Sequence, residues 1–152
     1  MKNKIVFFIL LLIIISTPFL LDSWLEHREN NFSCRGKITF QKNNVKYLVQ
    51  VKYIFQGSFG EVVTIGEYSE LGQKPRVITQ DLSFNYSRIG NEFTMVSTQS
   101  LLTESQAKIL NSLVPDFYLY KDRGFRIEIH KQGKNGLVFT TASLPIFICT
   151  LQ

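Results

Sequence analysis

Two cysteines are the first places to look for chemistry in this chain, and each ends the same three-residue pattern, Phe32-Ser33-Cys34 and Phe147-Ile148-Cys149. Residues two apart in a strand share a face, so each Phe looks the same way as its Cys. In an oxidising compartment such a pair reads most simply as one disulfide joining the two ends of a domain. Two separate buried thiols and a bond to another chain are the alternatives, and the matched Phe neighbours favour the internal bridge. The bridge would require Cα atoms within about 7 Å, placing the first and last strands side by side or face to face.

Other reactive side chains form no constellation. His27 falls in a polar segment and His130 on the outward face of an alternating stretch, so neither is placed as a general base. No His or Cys pair has metal-ligand spacing, no serine sits in a G-x-S-x-G elbow, and the GQK and GKNG stretches lack the context of a phosphate loop. Catalytic, cofactor and metal residues are therefore expected to be none. Asn31-Phe32-Ser33 and Asn85-Tyr86-Ser87 match the glycosylation sequon, which matters only in a eukaryotic secretory pathway.

The compartment is read from the N-terminus. Lys2 and Lys4 precede seventeen uncharged, mostly apolar residues from Ile5 to Leu21, followed by Asp22 and Trp24. At ~1.5 Å per residue, a helix over residues 5–25 spans roughly 30 Å, the thickness of a bilayer's hydrocarbon. A cleaved signal peptide is the rival, with Ser16, Thr17 and Pro18 opening its final region. Against it, Phe19, Leu20 and Leu21 resume the apolar run and no small-residue cleavage site follows. The expectation is a transmembrane anchor over residues 5–25, marked by Ile5 and Leu21, with Trp24 at the outer interface. Its lysines put residues 1–4 in the cytoplasm and the residues after about Trp24 outside. Four residues cannot carry a signal alone, so signalling would need a partner's membrane segment.

Residues 26–31 read as a polar tether, and 32–152 as a β-rich domain. The net charge is +5, falling to +3 (15 basic against 12 acidic) once Lys2 and Lys4 are set aside, too mild and scattered for nucleic acid. Phe32, Cys34, Gly36, Ile38 and Phe40 share one parity, and Val45, Tyr47, Val49, Val51, Tyr53 and Phe55 another after the turn at 42–44. A third strand, 59–68, is apolar on both faces, with Gly60 and Gly66 marking bends or bulges. Ile78, Leu82, Phe84 and Tyr86 define a fourth and Phe93 to Ser97 a fifth. A hairpin is expected from 117–120 to the Phe125, Ile127, Ile129 stretch, then strands at 137–141 and 146–151 around the QGKNG and SLP turns. Thr103 with Gln106 forms a capping box for the one predicted helix, stopped by Pro115.

The predicted class is mainly β with one short helix, some nine strands closing as a small antiparallel barrel or as two packed sheets, a lipocalin-like meander behind a single transmembrane helix. Thirteen Phe and six Tyr make its interior aromatic. Phe40, Tyr47, Tyr53, Phe84, Tyr86 and Phe147 are core, or else the wall of an apolar ligand site, since a barrel this small is filled by side chains alone or encloses one small ligand.

The lysine-flanked apolar N-terminus, the early FSC, the alternating strands and the terminal PIFIC together resemble the FidL-like family of enterobacterial membrane proteins, and the organisation is similar to ToxS-like co-regulators. The resemblance implies a bacterial inner-membrane protein with a periplasmic domain, paired with a membrane-bound winged-helix transcription activator. From the family only Cys34 and Cys149 match a recurring motif. An apolar small molecule, bile-acid-like or lipid, is the alternative partner.

Overall fold

The computed structural model describes residues 2–142 and 144–152; side chains are described from Leu10 onward except Glu26, Arg28 and Ser143. Helix α1 runs Lys2–Asn30 and leads into β1, Asn31–Lys42. Then follow β2 (Val45–Gln56), β3 (Phe59–Glu70), β4 (Arg76–Ile89), β5 (Glu92–Ser100), α2 (Glu104–Leu110), α3 (Asp116–Leu119), β6 (Gly124–Gln132), β7 (Gly136–Thr141) and β8 (Leu144–Leu151). The eight strands are antiparallel to their neighbours in chain order, and β8 returns to β1, so the sheet is a closed barrel. Closure removes free sheet edges and decides between the barrel and the two-layer alternative.

Alternation places one parity inside throughout. Every second residue of β3 from Gly60 to Tyr68 is buried while the residues between them are exposed. Of the bends or bulges expected at Gly60 and Gly66, no bulge forms: β3 pairs with β2 and β4 in unbroken register. Both glycines face the interior and leave room for rings. A Cβ on Gly60 would lie 2.5 Å from Phe84, and one on Gly66 2.5 Å from Tyr47. The β1–β2 turn puts Asn43 at φ 52°, which a short polar side chain tolerates.

Residues 117–119 lie in the helical turn α3, capped by Tyr120, and not in a strand, so the predicted hairpin with β6 does not form; β6 pairs with β5 and β7 instead. A four-residue apolar run cannot be assigned by period alone. The missed signal was Pro115-Asp116, which starts a helix as readily as it ends one. Among the described residues the strand count is therefore eight. The Thr103 cap is present with both of its reciprocal bonds. Together α2 and α3 close one end of the barrel, where Ala107, Leu110 and Leu119 pack on Tyr47, Val49, Tyr68 and Ile78.

Residues 26–30 of the expected tether are helical, and Asn31 opens β1. The helix continues to Asn30, because polar composition marks exposure and does not by itself stop a helix. Asn30 C=O accepts from Gly57 N–H at 3.0 Å and from Tyr86 Oη–H at 2.9 Å, so the barrel satisfies a terminal helical carbonyl. Among the described residues no helix is long and apolar enough to cross a membrane. Leu21 and Trp24 are exposed on α1, and the Ile5 side chain, like Met1 and the Ser143 of the predicted SLP turn, lies outside the described residues.

Candidate functional site

Three places can be asked for a site: the interior, the mouth beside α1, and the outer wall. The interior is a packed aromatic core. Tyr53, Phe84, Tyr86, Tyr47 and Phe147 are buried and Phe40 partly so, bringing all six candidate residues to the inner face. They divide between two clusters, with Phe40 and Tyr47 on the α2–α3 end and the other four around the disulfide. Phe147 stacks on Phe139 at 4.5 Å and on Tyr53 at 5.7 Å, and Phe84 meets Phe55 at 5.6 Å and Phe117 of α3 at 5.9 Å. Sequence reading missed Phe117, which plugs the barrel from α3.

Tyr118, also on α3, binds Tyr53 through their hydroxyls at 2.5 Å, and its carbonyl accepts a hydrogen bond from the Gln80 side-chain amide. Burial pushes the Tyr118 phenol up to about 12. It also raises Tyr53 well above the ordinary phenol range, helped by the neighbouring Tyr118. Both rings therefore stay neutral hydrogen-bonding groups at any ordinary pH. Beside them lies a void of about 30 Å³, lined by Ile38, Thr64, Gln80 and Tyr118 among others. It is the size of one water molecule, far below the roughly 300–1,000 Å³ of a small-molecule pocket.

Cys34 and Cys149 are bonded, with Cα atoms 5.5 Å apart and a sequence separation of 115. Both are fully buried, facing inward as their Phe-x-Cys pattern requires. His130 is exposed beside Glu128 at 3.0 Å, and exposed His27 lies against Asn31. Among the described residues no three His, Cys, Asp or Glu side chains group as metal ligands would.

At the mouth, Arg88 of β4 ties α1 to the barrel. Its guanidinium meets Glu29 at 2.8 Å, donates to the Gly90 carbonyl at 2.6 Å and lies 5.4 Å from the Phe93 ring centre. Lys131 approaches the other Glu29 oxygen at 3.8 Å. The hydrogen bond and charge of Arg88 hold the Glu29 carboxyl below the ordinary carboxylate range, with a smaller effect from Lys131. These charges are satisfied by one another and serve the joint.

The outer wall carries the candidate site. A groove of about 960 Å³ crosses the barrel's outside from β8 over β1, β2 and β3 to β4. Its floor is apolar: Val63 (41% exposed), Ile65 (53%), Leu101 (60%) and Ile148 (57%) all face solvent. Arg35, Lys37 and Lys52 line it as well, and among the described residues none of the three has an ion-pair partner. Arg35 and Lys52 are direct cross-strand partners. Like charges in that relation disfavour the sheet, so the sequence keeps a local cost here. The apolar second face of β3 was legible in the sequence; its alignment with cations on β1 and β2 was not, because register decides it.

The YqeJ C-terminal domain family model matches residues 31–149, which take in the barrel from its first residue to the second cysteine. The chain belongs to that family. No curated protein matches it.

Proposed function

We propose that this member of the YqeJ C-terminal domain family is a bitopic bacterial inner-membrane protein whose barrel, in the periplasm, binds and stabilises or modulates a membrane-bound winged-helix transcription activator. The observation that carries the reading is the contrast between a packed aromatic core, whose void beside Tyr118 is about 30 Å³, and an open amphipathic groove of about 960 Å³ on the outer wall. A protein whose interior is side chain and whose outside presents apolar groups to water is built to be covered by another protein.

Three further observations support it. From Leu10 to Leu25 the apolar side chains of α1 are exposed, which suits a helix surrounded by lipid. The cysteine pair suits an oxidising compartment. The FidL-like organisation, finer than the family membership, supplies the activator as the kind of partner, by analogy. In this role the barrel does no chemistry; by binding the folded or dimeric form of the partner it favours that form through mass action.

The test is a crosslinked pull-down of the full-length protein from its native membranes, with captured proteins identified by mass spectrometry. The expected catch is a near-stoichiometric membrane protein with a cytoplasmic DNA-binding domain. No protein above background would sink the proposal.

A further inference from the structure

The outer groove also says what shape and charge its occupant has. Arg35 and Lys52 lie opposite one another on β1 and β2, Lys37 is two residues along, and the next column is Val63 and Ile65, the partners of Lys52 and Gln50 on β3. Leu101 stands at the far side, its N–H bonded to Asp81 C=O on β4. The groove is thus cationic over β1 and β2 and apolar at Val63, Ile65 and Leu101, with Thr79, Gln80 and Asp81 of β4 polar and Asp81 its single lining acid. Asp81 lies three strand spacings, roughly 14 Å, from Arg35 and two, roughly 10 Å, from Lys52, and among the described residues it forms no ion pair with either.

The backbone excludes one form of occupant. Across the middle of the groove β2 and β3 are paired on both sides, so a strand laid over them would find no edge to extend; β1 beyond Gly36 and β4 before Leu82 lack a second strand partner at its flanks. An occupant must bring its own satisfied backbone and bind through side chains, as a helix does. From Arg35 to Asp81, beside Leu101, the row crosses three strand spacings, roughly 14 Å along the curved wall. A small amphiphile would be covered on one face only, whereas ligand pockets bury most of their ligand.

We infer that the groove is the docking site for an amphipathic helix of a partner protein that sets acidic side chains over Arg35, Lys37 and Lys52 and apolar ones over Val63, Ile65 and Leu101. This rests on the docking function proposed above. Carboxylates there relieve the like-charge pairing of Arg35 with Lys52, so the cost in the free barrel becomes complementarity in the complex.

The experiment places a photoreactive amino acid at position 65 of the full-length protein in native membranes and sequences the crosslinked peptide. It then repeats the capture with Arg35→Glu and Lys52→Glu together. The expected result is an adduct with a helical, acid-bearing segment, and a yield falling roughly tenfold in the double variant, as for loss of charge-assisted contacts. Melting of the double variant at an unchanged or higher temperature shows that the loss is not unfolding. A basic or uncharged adduct peptide, or a yield indifferent to charge reversal, overturns the acidic helix and leaves the docking function standing. A partner captured by pull-down but never through position 65 overturns the groove as its site. A lipid or small-molecule adduct alone overturns the helix in favour of an amphiphile, and no captured partner by either route fails both readings.

Discussion

Cys34 on β1 and Cys149 on β8 are bonded across the junction that closes the barrel, where the two strands pair only from Cys34 to Gly36 and from Cys149 to Leu151. The β1–β2 ladder runs from Asn31 to Lys42 by comparison. The covalent bond thus sits where the backbone ladder is shortest. A loop of sequence separation 115 closed in the unfolded chain is worth about 4 to 5 kcal/mol on the chain-entropy account. Reduction, or replacement of both cysteines by serine, is expected to lower unfolding free energy by about that amount in denaturant titrations. Hydrogen exchange should then open β1 and β8 before β2–β3. An unchanged midpoint would argue that the closure does not depend on the bond.

The Tyr53–Tyr118 pair makes stability fall at high pH. Both phenols are raised in the folded state, Tyr118 to about 12, so the fold holds their protons where an unfolded tyrosine, near 10, loses them. Their contribution is complete below about 10 and is lost as pH climbs towards the folded values. Phenolate absorbance should show two tyrosines ionising only as the protein unfolds. Tyr118→Phe should flatten the alkaline slope, at a cost of about 0.5 to 1.5 kcal/mol for the lost hydrogen bond.

Gly60 and Phe84 are cross-strand partners, and the ring occupies the place of the missing side chain. A Cβ at Gly60 would also lie 2.5 Å from the Ile54 carbonyl, a backbone atom that cannot rotate away. Gly60→Ala is expected to destabilise by about 1 to 3 kcal/mol through overpacking, read as a lower thermal midpoint. Adding Phe84→Leu should recover part of the loss; a bulge at Gly60 would instead tolerate the alanine.

At the joint with α1, Glu29 is held below the ordinary carboxylate range by Arg88, so its contribution is present at neutral pH and disappears as pH falls through the lowered value. Arg88→Ala removes that pairing and the guanidinium over Phe93. The expected result is a broader distance distribution between spin labels on α1 and on β4, with little change in barrel melting, since the Glu29 side chain is 43% exposed. A distribution as narrow as the parent's would assign the joint to the Asn30 carbonyl bonds alone.

Much of this was legible in advance. The parities of β1, β2 and β4 put Phe40, Tyr47, Tyr53, Phe84 and Tyr86 on one face because a strand's side chains alternate regardless of what it packs against. The matched Phe-x-Cys pair foretold the bridge for the same reason. What failed was local and short: 117–120 is too brief for period to separate a helical turn from a strand, and polar residues 26–30 hid a helix because polarity reports only exposure. The groove was invisible for a different reason. Arg35, Lys52 and Val63 lie on three strands, and only register makes them neighbours.

The most direct measurement compares transcription from the partner activator's target promoter in cells carrying the full chain and in cells carrying residues 1–25 alone. Loss of activator output without the barrel, restored by the full chain, is the expected result. Output that is the same with residues 1–25 alone as with the full chain would contradict a regulatory role for the barrel.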